Sequence, residues 1–430
     1  MLYLKYTRSR IAAFVDELDK LSCAEFAYFD SRDACKTLQQ VFRGELTALK
    51  GLDERDNPEA VKQRCVAALQ KVVNHLRILG FILRSTNVRN AFEIFTPLLR
   101  LACAMLEPNI PMSTTRKTRL ILSSEWEFSP FTYRVPNLPG FVLIGFPASE
   151  AENPLLIPLA GHELGHAVWH HNTSLERNIS ALIEISIIEL IEQDIKQDIE
   201  KEKEYREHLP ALVLNDLGKL DKNDLFASKV LGGVGPLAIR QAQESFCDFI
   251  GLAIFGKSYL CAFSYLLSPN INRVRSSYYP SMGNRIQNLV KASKKYNVDV
   301  PTGYTDLFND DQNQSMSDTD FLLLSLADRS LDQIVEDIIQ IVDDLIKATS
   351  IVQSTSAEAE RIRSRLRQIV PAEKAKGIAD IINAAWELHD DPELWNDHPA
   401  ISEKNKNQIF RDVVLKNIEI FEIEQRLIKI

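Results

Sequence analysis

The sequence has little positive charge, no long uninterrupted apolar run and no closely paired cysteines. Its 50 Lys and Arg are outnumbered by 59 Asp and Glu, and the net charge of −9 argues against a general binder of nucleic acid or anionic membranes. The longest apolar stretch, 179–191, is interrupted by glutamates, and MLYLKYTRSR is not followed by a signal-peptide core, so we expect no membrane span. The six cysteines lack CxxC spacing, which is typical of reduced thiols in a cytoplasmic protein.

Strand-forming sequence is scarce as well. The segments TRLILSSEWEFSPFTY and GFVLIGFP, within residues 118–149, are rich in β-branched and aromatic residues and are separated by the turn-forming VPNLPG. Most of the remaining chain places apolar residues at three- and four-residue intervals, which is the helical pattern. We therefore predict a mainly α protein with a small β-sheet, an α+β fold in which 118–149 forms a β-hairpin or part of that sheet.

Changes in composition and in the spacing of apolar residues along the chain predict its division into regions. Two predicted breaks matter most: the glycine-rich LGGVGP at 231–236, which we expect to end one helix before another at 237–256, and a polar stretch after residue 301. We predict the following regions: an N-terminal helical region at 1–115, a core at 116–300 with a helical insertion at about 174–232, a linker at 301–320, and a C-terminal helical region at 321–430. The two flanking helical regions lack a catalytic constellation, and either could bind a protein partner.

The motif with the most chemistry is HELGH at residues 162–166, on a helix predicted for 155–172. Residues four apart lie on one helical face about 6 Å apart, so the imidazoles of His162 and His166 can reach one metal ion. Glu163 flanks that site, where it can hold a water molecule and accept its proton. Zinc lowers the pKa of a bound water and polarises a carbonyl, so this motif predicts zinc-assisted hydrolysis.

Catalytic zinc usually has three protein ligands, and the motif supplies only two. The HExxHxxGxxH arrangement is not present, because Trp169 stands at its glycine position and Asn172 at its third histidine. His170 and His171 extend the helix, but the first is too far round it to close a compact site easily. A site role for His170 or His171 stays open, but a third ligand from another part of the chain is the better candidate.

Glu244 is the preferred third ligand. It lies four residues before Asp248 in QAQESFCDFIGLAIFG, a helix whose other face is apolar. Glu244 would bind the metal, while Asp248 would accept the second N–H of a ligating imidazole and fix its ring. The same spacing recurs at Glu387 and Asp391, although a proline follows Asp391 and the surroundings are polar.

With these motifs the chain resembles the gluzincin metallopeptidases, in particular their M48-like group. In that group HELGH and ExxxD are followed by His-Pro and by an arginine five residues after the proline. Pro280, Arg285 and Ile286 match the spacing, whereas Tyr279 replaces the histidine. By resemblance, the oxyanion-stabilising group would be Tyr279, with Tyr278 as a contender, and Arg285 would orient the site or pair with an acid. The similarity covers about residues 120–295.

The resemblance implies a zinc-dependent endopeptidase of restricted specificity, whose protein or peptide substrate would add as a strand to the edge formed by the strand just before the motif helix. Glu163 would act first as the base and then as the acid to the leaving amine. Two alternatives stay open: an inactive or weakly active interaction or regulatory protein with a metalloprotease fold, and a zinc hydrolase of a non-peptide amide.

Overall fold

The computed structural model divides the chain into two compact units. The first comprises Met1–Cys103 and Asn109–Asn153, and the second comprises Ala104–Pro108 and Pro154–Ile430. The structure describes the following residues: 2–53, 57–85, 92–108, 117–135, 137–150, 152–197, 201, 203, 205, 225–268, 275–276, 279–308, 316–389, 391, 393–396 and 401–427.

The described chain is mainly helical with one small sheet, which confirms the predicted fold class. Its strands are β1 (Arg119–Glu125), β2 (Phe131–Thr132) and β3 (Phe141–Pro147). Its helices are α1 (Leu2–Ser22), α2 (Phe29–Lys50), α3 (Pro58–Arg84), α4 (Phe92–Leu106), α5 (Leu159–His171), α6 (Thr173–Gln197), α7 (Leu225–Phe255), α8 (Lys257–Leu267), α9 (Met282–Lys295), α10 (Asp318–Lys347), α11 (Ser356–Leu366), α12 (Ile378–His389) and α13 (Glu403–Leu427).

The first unit packs α1, α2 and α3 together, with β1 against the last two. Its core consists of the apolar positions of these helices, including Leu38, Phe42 and Phe81, none of which is exposed to solvent. In the described chain, α3 alone is long and apolar enough to cross a membrane by length and composition. A core helix passes the same test, and α3 buries Val61, Ala68 and several other residues in this unit.

The sheet is mixed, with strand order β1–β3–β2. β1 and β3 pair in parallel, from Arg119 opposite Phe141 to Glu125 opposite Pro147, and the short β2 pairs antiparallel to β3. The predicted small sheet is confirmed: β2 and β3, which flank VPNLPG in the sequence, pair antiparallel as in the predicted hairpin, and β1 adds to β3 in parallel. Both long strands are buried along most of their length, and such strands are typical of parallel pairs.

In the second unit α5, α6 and α10 all pack against α7. α6 carries isoleucines at four-residue intervals, and their side chains pack inward: Ile179, Ile183 and Ile187 are almost fully buried. The side chain of Ile195 lies outside the described residues. In α10 the apolar stripe is buried at Ile334 and Ile338 and only partly buried at Ile341 and Leu345.

The predicted helix break at LGGVGP is wrong, because α7 runs through it with Pro236 inside the helix. Proline removes one backbone hydrogen bond and crowds the carbonyl four residues earlier, here that of Gly232. Gly232 and Gly235 have open space around them, so a local distortion meets no packed neighbour. Val234, Ala238 and Ala242 are fully buried on the same helix, and this packing outweighs the low helix propensity of the segment.

The two units also differ from the predicted regions. The sheet belongs with the N-terminal helices, and 321–430 belongs to the unit that carries the HELGH helix. Part of the predicted 301–320 linker is packed: Tyr304 is buried and its ring contacts Phe308, which in turn contacts Phe263. Residues 309–315 of that linker lie outside the described part of the chain.

Candidate metal centre

The candidate centre is built on two helices, α5 and α7, whose backbones approach closely. A Cβ added at Gly161 would lie 2.8 Å from the Cα of Gly251, and one added at Gly165 would lie 2.7 Å from the Cα of Cys247. Only glycine on α5 permits this approach, since any side chain would push the helices apart. The close contact brings the HELGH face of α5 to the face of α7 that bears Glu244 and Asp248.

Two imidazoles converge on one carboxylate. His162 Nε2 lies 3.3 Å from Glu244 Oε2, and His166 Nε2 lies 3.6 Å from Glu244 Oε1. Ligands about 2.1 Å from a tetrahedral ion are about 3.4 Å from one another. Each imidazole nitrogen therefore lies about one tetrahedral edge from an oxygen of Glu244, His162 from Oε2 and His166 from Oε1.

Asp248 lies on the Nδ1 side of His162 and forms hydrogen bonds with three side chains. Its Oδ1 lies 2.9 Å from His162 Nδ1, and it also accepts hydrogen bonds from the hydroxyl of Tyr259 at 2.6 Å and from Arg285. The Arg285 guanidinium binds it as a fork, with Nε 2.6 Å from Oδ2 and Nη2 2.8 Å from Oδ1. This carboxylate leaves His162 Nε2 facing Glu244, as a metal ligand requires.

The charges of the site differ between the two histidines. Burial opposes protonation of His162, but its hydrogen bonds to Asp248 and Glu244 outweigh that effect and raise its pKa to about 10. Burial lowers the pKa of His166 to about 4, assisted by the charge on His162. Asp248 is buried too, yet Arg285 and His162 lower its pKa well below the usual value. The metal-free centre therefore holds an imidazolium between two carboxylates.

Glu163 has the environment of a general base. Its side chain is almost fully buried, and burial raises its pKa to about 7, although the charge on His162 works in the opposite direction. A base is most effective when its pKa lies near the working pH. Glu163 thus places a carboxylate with a pKa near neutrality next to the candidate metal ligand His162.

Besides Glu244, Cys247 is a second candidate for the third ligand, and the sequence did not indicate it. The ligand atoms of His162, His166 and Cys247 lie within 4.8 Å of one another, so this buried group could hold a metal ion. Its thiol is fully buried, which raises its pKa well above the usual value. The available sequence clue is its position on α7, three residues after Glu244, where the helix faces α5.

Gln243 was also missed. Its Nε2 lies 3.0 Å from His166 Nδ1 and 3.5 Å from His170 Nε2, so it faces the ring nitrogen that points away from Glu244. Rotation of the Gln243 side-chain amide by 180° exchanges its nitrogen and oxygen, so that the oxygen can accept a hydrogen bond from His166 Nδ1–H. That bond would leave His166 Nε2 unprotonated, as a metal ligand requires. His170 is thus near the site through Gln243, whereas His171 contacts the carbonyl of Ala167 on its own helix.

The segment that follows α8 brings Tyr279 to the same region. The Arg285 guanidinium lies over the Tyr279 ring at 5.5 Å and over the Phe263 ring at 4.9 Å. Burial and the charge of Glu244 raise the pKa of the Tyr279 hydroxyl, which therefore stays a donor at neutral pH. Tyr278, the other predicted contender, lies outside the described residues.

The competing acidic pair is engaged elsewhere. Glu387 lies 3.7 Å from Arg363, and Asp391 lies 3.2 Å from Arg367, so both acids form ion pairs with arginines at or just beyond the end of α11. The structure thus brings together His162, Glu163, His166, Glu244, Asp248, Tyr279 and Arg285, the residues predicted for the site.

Comparison of the chain with protein-family models, with curated proteins and with solved structures finds no match. Function is therefore inferred from the chemistry of the centre itself.

Proposed function

We propose that the chain is a zinc-dependent endopeptidase of restricted specificity. The observation that carries this proposal is the convergence of His162 Nε2 and His166 Nε2 on Glu244, at 3.3 and 3.6 Å, beside the buried Glu163. Two imidazoles and one carboxylate are the ligand set of a hydrolytic zinc site with an open fourth position. The resemblance to gluzincins in HELGH, ExxxD and YPxxxxR supports the same chemistry.

The buried polar atoms support a metal at this place. Glu244 Oε2 is buried and lies 3.3 Å from His162 Nε2, which is long for a hydrogen bond, and 4.0 Å from Arg285 Nη2. A cation bound by Glu244, His162 and His166 would take the place of the His162 proton, and imidazole and carboxylate ligands suit zinc. Bound there, zinc would polarise the scissile carbonyl and acidify the attacking water.

The residues of the chain would then divide the work among them. Glu163 takes a proton from the attacking water and delivers it to the leaving amine. Asp248, held by Arg285, fixes the ring of His162. The Tyr279 hydroxyl donates to the developing oxyanion, a contribution that is typically worth about 10²–10³ in turnover. Arg285 acts through Asp248 and the Tyr279 ring.

The test uses the full chain loaded with zinc and a pool of denatured proteins and peptides, with new N-termini identified by mass spectrometry. We expect cleavage by the wild type and none by Glu163→Gln, which should keep its zinc because Glu163 is not a ligand. Small non-peptide amides form a parallel arm. Cleavage of those amides alone would replace the endopeptidase by an amide hydrolase, and equal cleavage by Glu163→Gln would remove Glu163 from the mechanism.

One observation favours a second candidate function. If the thiol of Cys247 joined the two histidines and Glu244, the coordination would be complete, and a closed four-ligand site is structural rather than catalytic. The chain would then be a regulatory or interaction protein that uses its flanking helices to bind a partner. Stoichiometric zinc without any hydrolysis, lost in Cys247→Ala, is the result that this alternative predicts. We favour a free thiol because Cys247 packs directly on Gly165, where α5 and α7 approach most closely.

A further inference from the structure

Arg275 lies outside every motif singled out from the sequence, yet it is buried and fully engaged next to Tyr279. Its side chain is 4% exposed. Its Nη1 donates to the carbonyl of Ser276 at 3.0 Å and to the carbonyl of Tyr279, and its Nη2 donates to Asp328 Oδ1 at 2.5 Å. A buried arginine that ties two carbonyls to a carboxylate holds the backbone of a segment rather than its surface.

The local sequence explains why the Tyr279 carbonyl needs such a partner. Pro280 follows it, restricts Tyr279 to extended backbone conformations and offers no N–H of its own. Helix α9 begins only at Met282, where Ser281 caps it by accepting from the Asn284 N–H at 3.1 Å. Arg275 is therefore the described group that fixes the Tyr279 carbonyl.

Two contacts fix Tyr279 from opposite ends. Its carbonyl is held by Arg275, which is anchored on α10 through Asp328, and its ring lies under the Arg285 guanidinium. Arg285 also holds Asp248, and Asp248 holds His162. The aromatic side chain is 46% exposed, so packing alone does not determine where its hydroxyl points.

We propose that Arg275, anchored by Asp328, is a positioning residue that sets the place of the Tyr279 hydroxyl over the metal centre. This inference rests on the proposed function, since it assigns Arg275 to the same site. Because Asp328 lies on α10, the proposal also gives a helix of the predicted C-terminal helical region a role in that site. A displacement of about 1 Å in a catalytic group can cost about 10²-fold in rate.

The experiment is a double-mutant cycle on the zinc-loaded full chain, with a fluorogenic peptide chosen from the cleaved pool. Arg275→Lys keeps a charge but loses the fork that reaches Asp328 and the carbonyls together. We expect it to lower kcat about tenfold with little change in KM in the wild-type background, and by less than about twofold in the Tyr279→Phe background. An equal loss in both backgrounds would overturn the proposal, because the effect would not pass through Tyr279.

Arg329→Lys is the matched control. Arg329 is the next residue after Asp328 and forks onto Asp194 at 2.6 and 2.7 Å, without a contact to Tyr279. Arg329 is 34% exposed, so Arg329→Lys tests the loss of an arginine fork on a neighbouring position of α10, and it should leave kcat unchanged. Asp328→Asn should behave as Arg275→Lys does, because it weakens the anchor of the same guanidinium.

A readout independent of activity separates this inference from the proposed function. The ring resonances of Tyr279, assigned by their loss in Tyr279→Phe, report its stacking on Arg285 in the metal-free and zinc-loaded protein. We expect Arg275→Lys to move them towards the values of a free tyrosine and Arg329→Lys to leave them in place. Unchanged resonances in Arg275→Lys would refute the positioning role even if no peptide is cleaved, whereas moved resonances without cleavage would refute only the endopeptidase.

Discussion

Asp248 holds three other side chains of the candidate centre through hydrogen bonds. It is 1% exposed and binds His162, Tyr259 and Arg285 together. Each of these hydrogen bonds favours its ionised form, and Arg285 supplies the opposite charge that a buried carboxylate needs. The orientation of His162 is therefore determined by a residue that does not touch the metal position.

Replacing Asp248 should weaken the metal site without removing a ligand. We expect Asp248→Asn to lower zinc affinity about 10–100-fold, because the amide no longer stabilises the Nδ1–H of His162 and leaves Arg285 without its countercharge. Competition with a chromophoric chelator measures the affinity. Asp194→Asn is the matched control: Asp194 is 6% exposed and also accepts from an arginine and a tyrosine, but away from the centre. Equal loss in both variants would mean that Asp248 acts only through stability.

Metal uptake should release a proton from His162. Its pKa of about 10 in the metal-free protein lies above that of free histidine, so the proton is bound at pH 8 and a cation must displace it. His166, with a pKa of about 4, contributes none. We expect one proton per zinc from His162 at pH 8, in addition to any that ionisation of the zinc-bound water releases, measured by titration calorimetry in buffers of different ionisation enthalpy. As the pH rises through 10 the release should fall, and a value near zero at pH 8 would contradict this charge assignment.

The sequence predicts the part of the site that depends on spacing within one helix. His162 and His166, like Glu244 and Asp248, are four residues apart, so helix geometry alone places each pair on one face. Cys247, Gln243 and Arg275 were missed because their roles depend on how α5, α7 and the segment before α9 pack together. No periodicity of the sequence encodes that packing.

At the scale of the elements, the centre depends on the distance between α5 and α7. Gly161→Ala would place a methyl group 2.8 Å from the Cα of Gly251, and backbone cannot move aside as a flexible side chain can. We expect a loss of about 1–3 kcal/mol in the free energy of unfolding of the metal-free protein, measured in urea. Gly232→Ala on α7 is the control, because nothing lies within 4 Å of its added Cβ. It should stabilise the helix by about 0.5–1 kcal/mol, and equal effects would disprove the close contact.

Two elements show where sequence patterns fail. The sheet region was located correctly, but alternation of residues does not reveal that β1 pairs with β3 in parallel. At Pro236 local propensity predicted a break, and the packing of α7 against α6 and α10 overrides it. The sequence therefore indicates which segments form helices and strands, but not which of them pack or pair with one another.

At the scale of the whole molecule, every proposed metal ligand belongs to the second unit. Zinc at 100 times its dissociation constant adds about 2.7 kcal/mol to the stability of the state that binds it. We expect slower amide hydrogen exchange in α5 and α7 on adding zinc, and unchanged exchange in α1, α2 and α3. Mass spectrometry of the exchanged peptides measures both. Equal protection of the two units would contradict a single site in the second one.

The most direct test of the account is X-ray absorption at the zinc edge of the loaded wild-type protein. The account predicts one zinc per chain, surrounded by nitrogen and oxygen at about 2.0–2.1 Å from His162, His166, Glu244 and a water. A sulfur neighbour at about 2.3 Å would instead place Cys247 on the metal and close the fourth position. That result, or the failure of the protein to hold stoichiometric zinc, would contradict the proposed hydrolytic centre.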